Sequence, residues 1–117
     1  MNVTNTDTTV THVFVWKWSA DYHSAAKKEE VFDELRALFD LHLLSSLTCG
    51  ENCIGSLNLA GAGPKPKLTF SADFDAGLVA TAKDGDSFNS WWASADHAAF
   101  MSRHPTFAAE KINLEWR

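Results

Sequence analysis

The run from Val10 to Trp18 constrains the fold more than any other part of this chain. Its side chains alternate, with His12, Phe14, Trp16 and Trp18 on one face and Val13, Val15 and Lys17 on the other. Because successive side chains of a strand point to opposite faces, both faces of this strand are mostly apolar. The pattern predicts a strand near the centre of its sheet.

The remaining segments predict alternating helices and strands. In chain order we expect a helix from about Ser24 to Leu44, capped by Ser19 or Asp21; a strand over Ser46–Cys49 that stops at Gly50; a strand over Leu78–Lys83; a helix capped by Ser87; a further helical turn or more over His97–Arg103, with His104–Pro105 as a helix stop; and a last strand over Ile112–Arg117. The glycines and prolines between Glu51 and Lys67 predict a long excursion. A minor strand at Leu68–Phe70 could follow it.

The order strand, helix, strand, strand, helix, strand indicates an α+β fold, the ferredoxin-like βαββαβ sandwich. Residues 10–117 are expected to form one domain, preceded by a disordered polar arm over residues 1–9. The sheet face that carries His12, Phe14, Trp16 and Trp18 is expected to be bare. Since a large exposed apolar face needs cover, a second copy of the chain is predicted to bind there as a two-fold homodimer.

Charge and composition exclude several functional classes. A net charge of −5 argues against nucleic acid and against anionic membrane surfaces as partners. No apolar run is long enough to span a membrane and no secretory signal opens the chain, so we expect a cytoplasmic protein. Cys49 and Cys53 then stay as ordinary thiols. The scattered aspartates lack the spacing of a metal site, and no metal or cofactor is expected.

Two histidines lie in aromatic surroundings with few charges, where an imidazole is partly desolvated and its pKa can be tuned for proton transfer. His12 opens the first strand, and His97 follows the Trp91–Trp92 pair. Whether the two meet in space decides whether they can act together. His23 and His42 are expected to lie on or near the protein surface.

At the level of motifs, the chain resembles the stress-responsive A/B barrel (Dabb) family of the dimeric α+β barrels. The resemblance rests on the first strand His12–Trp18, the helical segment Lys28–Leu35, the strand end Leu47–Gly50, and Ser94–Phe100, which aligns with the late H-P-x-H-x-x-F box of that family. Only the last histidine and the phenylalanine of the box are present, as His97 and Phe100.

The resemblance implies a dimeric α+β barrel with a cavity in each subunit. In enzymes of the family, such as plant polyketide cyclases and a hydroxynitrile lyase, the first-strand histidine and the box histidine line this cavity. The box histidine acts there as acid or base, often beside a tyrosine six residues earlier. These positions are His12 and His97 here, and the tyrosine position is Trp91. Another proton donor is then needed: an indole N–H, His12 or water.

The leading hypothesis is a cofactor-independent homodimeric enzyme of specialised metabolism. It would use His97 and His12 as acid and base on a hydrophobic carbonyl or polyketide-like substrate, in cyclase, lyase or isomerase chemistry. The residues expected to bind this substrate are Phe14, Trp16, Leu35, Leu78, Ala80, Trp91 and Phe100. The alternatives are a non-catalytic stress-responsive homodimer that binds a hydrophobic ligand, and a cofactor-free monooxygenase.

Overall fold

A computed structural model describes residues 8–52 and 74–117. The expected polar arm over residues 1–9 lies outside these ranges, apart from its last two residues. So do Cys53, the excursion after Glu51 and the possible strand at Leu68–Phe70.

The described strands and helices follow the predicted order along the chain. The elements are β1 (Val10–Trp18), a short 3₁₀ turn (Ala20–Tyr22), α1 (Ala25–Ala37), β2 (Ser46–Glu51), β3 (Ala76–Ala82), α2 (Gly85–Trp92), α3 (Ala95–Arg103) and β4 (Ala108–Trp116). The sheet is antiparallel with the order β2-β3-β1-β4. The predicted α+β, ferredoxin-like fold is therefore confirmed, and β1 lies inside the sheet.

The helices cover the aromatic face of β1, so the prediction of which face is bare was wrong. Trp16 is 0%, His12 2% and Trp18 3% exposed. The two tryptophans pack with Val31, Phe32 and other helix residues in the core. The face left open is the opposite one, with Val13 and Val15 half-buried. Large rings fill the space between a sheet and its helices, whereas valine side chains leave a flat surface.

The first helix is shorter than its apolar periodicity predicts, and it ends at Ala37 with Leu38 as its C-cap. Beyond it, the Asp40 carbonyl accepts from the backbone N–H groups of Leu43 and Leu44, and its side chain accepts from that of His42 at 2.9 Å. An aspartate bonded to its own neighbourhood offers the backbone an alternative to helix. Apolar residues recur at helical spacing beyond the end of α1 because the turn that follows the helix still buries Leu44.

The cap of the second helix also differs from the prediction. Asp84, three residues before Ser87, is the N-cap, and its carboxylate accepts from the Ser87 backbone N–H at 2.7 Å. Both residue types are good caps, so the choice between them depended on where the preceding strand ends. No helix of the described ranges is long and apolar enough to cross a membrane.

Candidate active site

A cavity of about 320 Å³ lies between the sheet and the helices. Strands β1, β3 and β4 contribute one side of it, and α1, α2 and α3 contribute the other. Its lining consists of His12, Phe14, Leu35, Leu38, Leu78, Trp91, Trp92, His97, Phe100, Met101, Phe107, Lys111 and Asn113. Most of these side chains are apolar, so the cavity suits a hydrophobic molecule with a few polar groups.

His12 is held on β1 by a carboxylate of the neighbouring strand. It lies directly opposite Glu115 in the β1–β4 register, and its Nδ1 is 2.7 Å from the Glu115 Oε1. Because a carboxylate only accepts hydrogen bonds, Nδ1–H is the donor. In the neutral imidazole Nε2 is then the nitrogen with a free lone pair. The ring contacts Phe88 and Trp92 at centroid distances of 5.4 and 5.7 Å.

His97 lies in the first turn of α3. The N-cap residue Ser94 accepts from its backbone N–H at 3.2 Å, and its ring lies 4.7 Å from the Trp92 ring and 5.3 Å from the Trp91 ring. Burial lowers the pKa of His97 below its usual 6.5, and the nearby His12 lowers it further, while a hydrogen bond to the Trp92 backbone acts in the opposite direction. His97 is therefore a neutral imidazole at pH 7, as a general base requires.

The fold brings the two histidines together. Both line the same cavity, and both rings contact the Trp91–Trp92 pair. Each also lies within electrostatic range of the other, since the charge of His12 affects His97. A ligand in this cavity can therefore contact both imidazoles.

Trp91 has a structural hydrogen bond instead of a free donor. Its indole Nε1–H donates to the backbone carbonyl of Leu38 at 2.9 Å, in a buried position. This carbonyl belongs to the end of α1, where helix carbonyls lack partners within the helix. The indole N–H of Trp91 is thus occupied, which leaves His12 or water from the proton donors that the sequence suggested.

The residues predicted to bind substrate divide into two groups. Those that line the cavity are Phe14, Leu35, Leu78, Trp91 and Phe100. Trp16 and Ala80 do not line it, and both are 0% exposed within the core. Trp16 is surrounded by the rings of Phe14, Trp18, Phe32 and Phe107, which separate it from the ligand space.

Strand β4 contributes polar groups that sequence reasoning missed. Lys111 and Asn113 line the cavity, and Glu115, next in the same alternation, holds His12. The signal was present in the sequence: Lys111, Asn113 and Glu115 alternate with Ile112, Leu114 and Trp116. We call these three polar residues the inward row of β4.

A second polar cluster lies at the far end of α3, away from the cavity. His104 is 5% exposed. One of its nitrogens bonds the Tyr22 hydroxyl at 2.9 Å, and the other bonds Glu34, whose second oxygen accepts from Arg103. We call Tyr22, Glu34, Arg103 and His104 the His104 cluster. Among the described residues, Glu30, Glu34 and His104 could supply three metal ligands. However, both Glu34 oxygens are already engaged, so we interpret the cluster as an ion-pair network.

His23, His42 and Cys49 show no feature of a functional site. His23 and His42 are exposed. Cys49 is a free, half-buried thiol, and burial raises its pKa, which keeps it protonated and unreactive at neutral pH.

Solved structures share the fold of this chain at low sequence identity, although no protein-family model and no curated protein matches it significantly. A dimeric ferredoxin-like protein of unknown function from Thermobifida fusca is 18% identical, with a TM-score of 0.68 over 98% of this chain and 95% of that chain. A Dabb family protein with a ferredoxin-like fold from Mesorhizobium loti is 15% identical, with a TM-score of 0.66 over 93% of this chain and 95% of that chain.

Other structures with this fold are enzymes. A hydroxynitrile lyase from Passiflora edulis is 11% identical, with a TM-score of 0.71 over 94% of this chain and 93% of that chain. SnoaB, a cofactor-independent oxygenase from Streptomyces nogalater, is 16% identical, with a TM-score of 0.62 over 94% of this chain and 92% of that chain. These likenesses confirm the ferredoxin-like fold that the resemblance to the Dabb family implied.

Proposed function

We propose that the protein is a cofactor-independent enzyme that moves protons on a hydrophobic carbonyl substrate, in lyase, cyclase or isomerase chemistry. One observation carries the proposal: His12 and His97 line one mostly apolar cavity and contact the same pair of tryptophans. Its biological setting, under this proposal, is specialised metabolism in the cytoplasm, with polyketide-like molecules as candidate substrates.

The proposed reaction begins with neutral His97 as the base. Its imidazole takes a proton from a hydroxyl group or from a carbon next to the substrate carbonyl, and the electron pair left behind moves into the alkoxide or enolate. The protonated imidazole returns that proton to carbon or to a leaving group when the new bond forms or breaks. A positioned acid or base of this kind contributes roughly 10²- to 10⁴-fold to the rate.

The second histidine is proposed to bind the substrate oxygen. The Glu115 carboxylate fixes the ring of His12 and selects the nitrogen that bears the proton, much as a second carboxylate orients histidines in other sites. The apolar lining excludes water and holds the substrate near both imidazoles, and correct placement can contribute as much as the proton transfer itself.

Two simple reactions test this proposal without knowledge of the natural substrate. The first is cleavage of mandelonitrile to benzaldehyde and hydrogen cyanide, followed by ultraviolet absorbance. The second is exchange of the α-protons of 2-tetralone in D₂O, followed by proton NMR. We expect the protein to accelerate at least one of them above buffer.

The variants identify the groups responsible. His97→Ala should remove the acceleration by about 10²-fold or more, and His12→Ala should reduce it. His42→Ala is the matched control, because this histidine is exposed and lies outside the cavity. If neither reaction is accelerated, or if His97→Ala and His42→Ala behave alike, the proton-transfer proposal is wrong.

The same preparation separates the alternatives. Oxygen consumption with a hydroquinone substrate and no added cofactor would indicate the monooxygenase. Tight binding of hydrophobic molecules without turnover in any of these assays would indicate the ligand-binding protein.

We also propose that two copies of the chain associate through the open face of the sheet. Exposed apolar side chains cluster there: Val79 is 40%, Ile112 53%, Leu114 55% and Trp116 48% exposed. Such a patch marks an interaction surface, and a matching solved structure is dimeric. This surface replaces the aromatic face that the sequence suggested.

Sedimentation velocity tests the association. The wild-type protein should sediment at twice the mass of one chain, and the double variant Ile112→Lys/Leu114→Lys as a single chain. Leu41→Lys is the control, since Leu41 is 80% exposed outside this face. A monomeric wild type would refute the dimer.

A further inference from the structure

A solvent-exposed cation lines the cavity, and no described carboxylate forms an ion pair with it. The cation is Lys111, and none of the ion pairs within residues 8–52 and 74–117 involves Lys111. Lys17, on the adjacent strand, does have a partner, because its ammonium lies 3.5 Å from a Glu110 oxygen. The Glu115 carboxylate of the inward row is bonded to His12, and burial lowers the pKa of His97, which favours its neutral imidazole.

The inward row of β4 places this cation away from the histidines. The register pairs Glu115 with His12, Asn113 with Phe14 and Lys111 with Trp16. Alternate strand residues are about 7 Å apart, so the backbones of Glu115 and Lys111 are roughly 14 Å apart. The Asn113 amide lies between them and lines the same cavity.

The walls between the two ends are apolar. Phe14 and Phe107 meet at a centroid distance of 5.9 Å, and Phe100 and Phe107 at 5.5 Å. A ligand that spans the cavity therefore meets imidazoles at one end, rings along its length, and an amide and an ammonium at the other end.

We propose that Lys111 and Asn113 bind a carboxylate at one end of an elongated, mostly apolar ligand whose carbonyl end reaches His12 and His97. The ligand class is thus a hydrophobic keto acid or a similar anion, rather than a neutral ketone. The direction of the ligand rests on the proposed function, whereas the anion site itself does not, because it requires binding alone.

A pair of probes of equal shape tests the anion site. We would titrate 4-phenylbutanoate and 4-phenylbutanamide into the protein at pH 7 and low ionic strength, and follow binding by tryptophan fluorescence, since Trp91 and Trp92 line the cavity. A hydrogen bond to a charged group contributes about 1.5–3 kcal/mol, so the carboxylate should bind roughly 10-fold more tightly or better. Added salt should reduce this preference.

Three variants locate the preference. Lys111→Met should abolish it, Lys111→Arg should retain it, and Lys83→Met, a change at an exposed lysine outside this cavity, should leave it unchanged. Equal affinities in the wild type, no binding of either probe, or an unchanged preference in Lys111→Met would each overturn the proposal.

The outcome is separable from that of the catalytic proposal. His97→Ala should keep the preference for the carboxylate while it loses turnover. If His97→Ala keeps turnover and Lys111→Met loses the preference, the anion site stands and the acid–base function fails.

Discussion

The His104 cluster gives a quantitative test of how α3, the helix that carries His97, is fixed in the fold. His104 is the C-cap of α3, and it ties that end of the helix to Glu34 of α1 and to Tyr22. The substitution Glu34→Gln keeps the size of the side chain and an oxygen that can accept from His104. It removes only the charge.

The expected cost follows from the burial of the pair. The His104 side chain is 6% and the Glu34 side chain 24% exposed. Removing one partner from a buried pair costs about 3–5 kcal/mol. Because Glu34 keeps some solvent and glutamine keeps a hydrogen bond, we expect Glu34→Gln to lower the free energy of unfolding by about 2 kcal/mol.

The pKa of Glu34 determines how the stability difference between wild type and Glu34→Gln changes with pH. Burial alone would raise the pKa of Glu34, but hydrogen bonds and charges from His104 and Arg103 outweigh it and lower the pKa below its usual value. A lowered carboxyl pKa stabilises the fold above the unfolded-state value of about 4.3. That stability is lost as the pH falls through the still lower pKa of the folded state, so the gap between wild type and variant should narrow below about pH 4.

Urea denaturation from pH 7 down to pH 3.5 measures both effects. The control is Glu29→Gln, since the Glu29 side chain is 64% exposed and pairs with Arg36 at the surface. Such pairs contribute about 0–1 kcal/mol. The reasoning is refuted if Glu34→Gln costs no more than Glu29→Gln at pH 7, or if the gap stays constant to pH 3.5.

Three further experiments test the structure around the cavity. An NMR titration should give His97 a pKa below 6.5, which rises in His12→Ala because a neighbouring positive charge is removed; a value at or above 6.5 in the wild type would contradict the burial of the ring. Ser94→Ala and Ser24→Ala each remove a cap bond of 3.2 Å and should each cost about 1 kcal/mol in urea denaturation, but only the first should shift the NMR signals of His97. Trp91→Phe removes the donor to the carbonyl at the end of α1 and should cost about 1–3 kcal/mol beyond the lost packing; thermal melting unchanged from wild type would show that water replaces the indole.

The sequence was sufficient to predict the order of helices and strands along the chain, whereas the shared cavity of His12 and His97 was implied only by the resemblance to the Dabb family. Alternation in β1 and helical spacing in α1 are local patterns, and the ferredoxin-like order leaves few ways to connect them. In the structure, His12 near the start of β1 and His97 near the start of α3 line one cavity.

The covered face of β1 could not be predicted in the same way. Both faces of the strand are apolar, and alternation separates two sets of residues without saying which set the helices cover. The polar residues of β4 posed a similar problem. Lys111 and Asn113 resemble ordinary solvated residues of an edge strand until the helices place a cavity above them. The interpretation of His104 as a helix stop was correct, but its buried bonds to Tyr22 and Glu34 could not be predicted from the sequence.

The hydrogen bond of Trp91 narrows the chemistry that this cavity can perform. With that indole N–H occupied, the described lining leaves His12, His97 and Lys111 as groups able to transfer protons, and Lys111 lies toward the other end of the inward row. Under the proposed function, proton transfer therefore falls on imidazoles that contact the same tryptophans. A positive charge on His12 disfavours one on His97, so protonation of both rings is penalised. Under the proposed function, the rate should fall as the pH drops through the pKa of His97, because the base is lost there.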